Sequence, residues 1–154
     1  MKKNYFAASA VIISALLGFT LNSIARTGEA PANAGVALSA LLEKVESENI
    51  GVVIEAEHEN GKWEVESCKT DGCTDIEFDA NTGAELSRKS ENSDDALPPE
   101  GAKPLSEVVK TFELHNYPIS EIEFEDGSWE VYWTKDGRKV KSNIDPMTAK
   151  NVSK

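Results

Sequence analysis

Two cysteines, two histidines and a surplus of carboxylates are the groups in this sequence with reactive or ligating chemistry. Cys68 and Cys73 bracket Lys69-Thr-Asp-Gly72, so each stands at one foot of a short hairpin turn. They are close enough to bridge if the two strands pair in that register. Neither a Cys-x-x-Cys spacing nor a second ligand pair accompanies them, which favours a structural disulfide over thiol redox chemistry or a zinc site. So short a ring is expected to contribute about 2 kcal/mol. His58 and His115 belong to no recognisable catalytic set. Alternation turns His58 toward a core, and His115 follows a helix end, where the dipole favours a cation. Asp79, Asn81 and Gly83 imitate the start of a calcium loop but lack its later bidentate Glu. Glu121, Glu123 and Glu125 alternate along one strand and read as a solvent-facing edge that discourages pairing with other chains. No Gly-x-Ser-x-Gly elbow occurs. The expectation is a protein without catalytic residues, cofactor or dedicated metal site.

The elements that carry these groups occur twice. Leu38, Leu41, Leu42 and Val45 mark one apolar face of a helix over about Val36 to Glu48, and Leu105, Val108, Val109 and Phe112 repeat it after Pro104. Strands then follow at Val52 to Glu59, through Trp63 and Val65 to Cys68, and from Cys73 through Ile76 and Phe78, with Leu86 opening a short last strand. In the second copy they run over Ile119 to Glu125, Ser128 to Lys135 and Lys139 to Ile144. Asn60-Gly61, Asp126-Gly127 and Asp136-Gly137 are hairpin turns. Gly61, Trp63, Glu64 and Val65 recur as Gly127, Trp129, Glu130 and Val131. The Asp79-Ala-Asn-Thr-Gly83 turn recurs as Asp145-Pro-Met-Thr-Ala149. The fold class is therefore α+β, two tandem units, each one helix packed on an antiparallel sheet of three to four strands. Trp63, Trp129, Leu41, Leu42, Val108 and Val109 are the expected core, and Ile54, Ala56 and His58 are expected on one face of the first strand.

The boundaries that follow are 1–25 signal peptide, 26–35 flexible leader, 36–86 first unit, 87–103 linker and 104–154 second unit. Lys2 and Lys3 precede an apolar run from Ala7 to Leu21 and then Ser23-Ile24-Ala25, the order of an export signal cut after Ala25. The run is too short for a membrane span. Export places the protein in the periplasm or outside the cell, where disulfides persist. Of 16 basic and 27 acidic residues, only Lys2 and Lys3 leave with the signal. The mature chain is therefore strongly acidic, which repels nucleic acid and anionic lipid and attracts a basic partner. The 87–103 stretch is too polar and too rich in Ser, Pro and Asp to bury a core.

The second unit resembles the PepSY family of extracytoplasmic domains, in Leu105-Ser-Glu-Val-Val109, Tyr117-Pro-Ile-Ser-Glu-Ile122, Glu125-Asp-Gly-Ser-Trp-Glu-Val131, Asp136-Gly137 and Ile144-Asp-Pro-Met-Thr148. The first unit resembles it less, with the Cys68 to Cys73 hairpin as a departure, and Ala149 stands where the family usually has Gly. The resemblance implies an exported, non-catalytic module that binds, modulates or inhibits another extracytoplasmic protein such as a peptidase, and it supplies no catalytic residue. A cation-binding or envelope-sensing accessory protein is the alternative. The expected contact surface is Asn60, Gly61, Asp126 and Gly127 with Tyr132 and Trp133 beside them, or a free strand edge.

Overall fold

The computed structural model describes residues 35–92 and 95–152; the expected export signal and most of the leader lie outside them. The element order is α1 (Leu38–Ser47), β1 (Val52–Glu59), β2 (Lys62–Lys69), β3 (Gly72–Asp79), β4 (Glu85–Glu91), α2 (Leu105–Glu113), β5 (Ile119–Glu125), β6 (Ser128–Lys135), β7 (Arg138–Asp145) and β8 (Lys150–Asn151). The strands form one antiparallel sheet of eight in the order β4-β3-β2-β1-β5-β6-β7-β8. The two halves thus share a sheet, joined where β1 pairs with β5 through Glu55↔Glu123, Ala56↔Ile122 and Glu57↔Glu121.

Both helices cover one face. Leu41, Leu42, Val45, Val108 and Val109 meet Trp63, Val65, Ile76, Phe78, Ile122, Trp129 and Val131 in one continuous core. Trp63 is 0% exposed and Trp129 1%. The hairpins close as Asx-Gly chemistry demands: Asn60 and Gly61, Asp126 and Gly127, and Asp136 and Gly137 all take positive φ, which two-residue turns between right-twisted strands require. Asn49 (φ 54) and Asn116 (φ 54) end the helices in the left-handed conformation.

Neither helix receives a capping bond from the residue before it. Each is capped by the other helix instead. Ser39 N and Oγ donate to the Glu113 carboxylate at 3.1 and 2.6 Å, and Ser106 N and Oγ donate to Glu46 at 3.0 and 2.6 Å. The helices therefore run antiparallel, each placing an acid from its last turn against its neighbour's positive N-terminus. Lys110 pairs with Glu43 between them.

Three expectations need correction. Ile54 does not share a face with Ala56 and His58. The β1–β2 register shifts between Val53 and Glu55, a bulge that turns Ile54 to the other face of the sheet, where it packs with Cys68 and Cys73. Strand β4 runs through Ser87–Glu91, residues read above as linker; an edge strand lying off the helices needs no apolar stripe, so composition hid it. The rest of that connection is not wholly solvated either, since Leu97 packs on the Ile54–Cys68–Cys73 cluster. It then returns to the fold through a bond from Lys103 N to Pro146 O, 2.9 Å.

Candidate binding face

The alternation that sends Trp63, Val65, Ile122 and Trp129 inward sends carboxylates outward, and the register lines those up across strands. One row reads Glu77, Glu64, Glu57, Glu121 over β3, β2, β1 and β5; the next reads Asp75, Glu66, Glu55, Glu123, Glu130 and reaches β6. Neighbouring strands stand about 4.8 Å apart, so these side chains oppose one another directly, an arrangement that costs stability when both are ionised. The β2–β3 end of the rows forms a trough of about 270 Å³, lined by Glu55, Glu64, Glu66, Asp75, Glu77, Ser87 and Lys89 among others.

Electrostatics follow from position within the rows. Burial pushes the Glu55 carboxyl up to about 7, reinforced by Glu66, Glu123, Glu57 and Glu121. Burial also raises Glu64, Glu66, Asp75 and Glu123, with help from adjoining acids. The rims behave oppositely. Lys62 bonds Glu77 at 2.7 Å, and Ser87 adds a bond at 2.9 Å, holding that carboxyl below its usual range. Lys141 does the same for Glu130, and Lys139 reaches Glu121 at 3.1 Å. The face is thus acidic and partly protonated at its centre and clasped by lysines along its margins.

The residues expected to form a contact surface are dispersed. Because β1 and β5 are antiparallel, Asn60-Gly61 and Asp126-Gly127 lie at opposite ends of the sheet. Asn60, Asp126 and Gly127 are exposed and Gly61 half-buried. Trp133 is only 7% exposed. Its ring stacks on Tyr117 with centroids 4.3 Å apart, and its Nε1 donates to Ser142 Oγ at 3.0 Å. Trp133 is a core residue and offers a partner almost no area. Tyr132 is half-buried on the carboxylate face, covered by Lys139 4.4 Å above its ring, and its hydroxyl donates to Glu130 at 3.3 Å. Cations line the open edges, Arg88 and Lys89 on β4 and Arg138, Lys139 and Lys141 on the part of β7 that the two-residue β8 does not pair, and they resist pairing with another chain.

The other chemical candidates acquire structural roles. Cys68 and Cys73 are register partners joined as a disulfide. His58 is half-buried with its ring 5.0 Å from that of Trp63, and exposed His115 lies 5.6 Å from Tyr117. Asp79 Oδ1 accepts bonds from Asn81 N, Thr82 N and Thr82 Oγ1 at 2.8–3.0 Å, and Asp145 repeats the pattern with Met147 and Thr148. The apparent calcium-loop start is therefore a pair of turns held by their own aspartates. Three carboxylates, Glu123, Glu125 and Glu130, bring ligand atoms within 4.8 Å of one another. The carboxylate rows themselves escaped sequence reading, because local alternation shows which residues face out but not which of them become neighbours.

Among the described residues no helix is long and apolar enough to cross a membrane. No curated protein matches the chain. A crystal structure from Clostridium difficile 630, described as that of a "putative lipoprotein", is similar at 14% identity with a TM-score of 0.45, covering 74% of this chain and 88% of its own. Residues 92–154 match the family described as "Peptidase propeptide and YPEB domain". That match takes in α2, the hairpins of β5 to β7 and the Asp145 turn, so this part of the chain is similar to the PepSY family.

Proposed function

We propose that this protein is an exported, non-catalytic binding module that uses its carboxylate face to hold a basic extracytoplasmic partner, such as a peptidase, and modulate it. The observation that carries the reading is the pair of carboxylate rows on a sheet face the helices leave uncovered. A surface of one sign steers a partner of the other and binds it in a salt-sensitive way. The family description, which names peptidase propeptides, supports a regulatory role toward such enzymes. The disulfide supports an oxidising compartment. The two helix-plus-sheet halves, 36–86 and 104–154, are read as copies of one unit, the second having kept the family's motifs. The exposed turn residues Asn60, Asp126 and Gly127, with Gly61 and Tyr132, are read as flanking contacts on separate sides of the face.

Partner capture from an extracytoplasmic extract tests the reading, comparing the mature chain with an E57Q/E64Q/E121Q variant. Captured basic protein is expected to fall about tenfold in the variant and to elute with salt, since each screened contact weakens the complex. Equal capture by both chains, unaffected by salt, would overturn it. The Glu123, Glu125 and Glu130 grouping favours the second reading, a cation-binding accessory protein. Calorimetry with calcium, zinc and copper separates the two, micromolar binding lost in E125Q selecting the second.

A further inference from the structure

The seam between the halves is thin. In register it consists of three residue pairs, and two of these, Glu55↔Glu123 and Glu57↔Glu121, set acid against acid on the outer face. Only Ala56↔Ile122 is apolar, and both residues are 0% exposed. On its other side Glu55 meets Glu66 of β2, and Glu57 meets Glu64. The surroundings are charged from every direction. Asp75 of β3 and Asp95 of the connection act on Glu66, whereas Glu130 of β6 and Lys141 of β7 both act on Glu123. Lys139 holds Glu121, Lys141 holds Glu130 and Lys62 holds Glu77, while Lys89 of β4, which lines the same trough, acts on its register partner Asp75. The central pairing of the molecule is thus left with Glu55, Glu66 and Glu123 side by side.

We propose that this Glu66–Glu55–Glu123 row is a proton-operated latch, which fastens β1 to β5 when Glu55 is neutral and loosens that seam when it is ionised. A neutral carboxyl can donate a hydrogen bond to the carboxylate beside it, whereas adjacent carboxylates repel. The sign follows from the direction of the shift. The folded chain retains the Glu55 proton up to about 7, while an unfolded Glu loses it near its ordinary value of 4.5. Stabilisation is complete below the ordinary value and is lost as pH rises through about 7. The inference concerns the halves' cohesion and stands whether or not a partner docks on the face.

Amide exchange in the full mature chain tests the latch locally, corrected for the intrinsic pH dependence of exchange. Ala56 and Ile122 report the seam, and Val65 and Ile76, paired across β2 and β3, serve as controls. Between pH 5.5 and 8 protection at Ala56 and Ile122 is expected to fall roughly tenfold, with the controls within about twofold. E55Q/E123Q, which replaces the ionising pair by neutral amides, should abolish the difference. A carbon-13 titration of the wild-type Glu55 carboxyl should give a midpoint near 7. A midpoint below 5, or equal pH dependence of seam and control amides, would overturn the latch.

Discussion

At the residue scale, Ala149 closes the Asp145 turn where the matching Asp79 turn has a glycine, and its backbone is left-handed, φ 55. Its counterpart Gly83 has φ 70. A left-handed alanine is strained, so Ala149→Gly is expected to stabilise the chain by about 1 kcal/mol. The converse Gly83→Ala should cost more, because its Cβ would come within 3.2 Å of Leu41 Cδ2 and 3.3 Å of Val36 Cγ2 in addition to the backbone strain. Urea unfolding of both variants measures the pair, and equal effects of one sign would contradict the assignment. Asp79 and Asp145 hold the two turns with carboxyls depressed by bonds from Thr82 and Thr148. Their contribution is present above the ordinary aspartate value and lost as pH falls through their lowered one. This is opposite in sign to that of Glu55.

At the element scale, the reciprocal helix caps are the arrangement on which the helix pair depends. Ser39→Ala and Ser106→Ala should each cost about 1 kcal/mol in thermal or urea unfolding, the usual size of a lost N-cap, with Glu46→Gln and Glu113→Gln acting on the same bonds. The double variant Ser39→Ala/Glu113→Gln should cost less than the sum of its parts, because both remove one interaction. The helices and hairpins themselves were legible. Leu41, Leu42 and Val45 declare a helical stripe, and Asn60-Gly61 and Asp126-Gly127 declare tight turns, because both signals are local. The cap was not legible as a contact, although a trace existed: Ser39 and Glu46 recur as Ser106 and Glu113, polar residues repeated between apolar ones. The bulge at Ile54 left no trace, since one extra residue in β1 is set by its pairing with β2 and not by its own composition.

At the scale of the whole molecule, the shared sheet was the hardest feature to read. Nothing within Val52–Glu59 or Ile119–Glu125 states that these strands pair with each other, and their antiparallel meeting is what separates the two hairpin tips expected to form one surface. It also brings outward carboxylates into rows, so repulsion should be relieved by salt. Raising ionic strength from about 10 to 500 mM shortens the screening length several-fold, and the melting temperature at pH 8 is expected to rise. A fall would show that the rim pairs of Lys62, Lys139 and Lys141 outweigh the central repulsion. Cys68→Ser/Cys73→Ser should lower stability by about 2 kcal/mol, the contribution of a short covalent ring, and free Leu97 from the cluster it covers.

The described residues of the connection between β4 and α2 touch the sheet through Leu97 and the β7–β8 turn through Lys103, and contribute no strand to the β1–β5 joint between the halves. Severed there by a protease, the chain would still possess both sides of the Ala56–Ile122 contact and both partners of each reciprocal cap. The expected product is a nicked heterodimer that elutes as one species, with fragments that find each other again after separation. Two intact chains at high concentration could exchange halves by the same route, so swapped dimers are the assembly this architecture most readily admits.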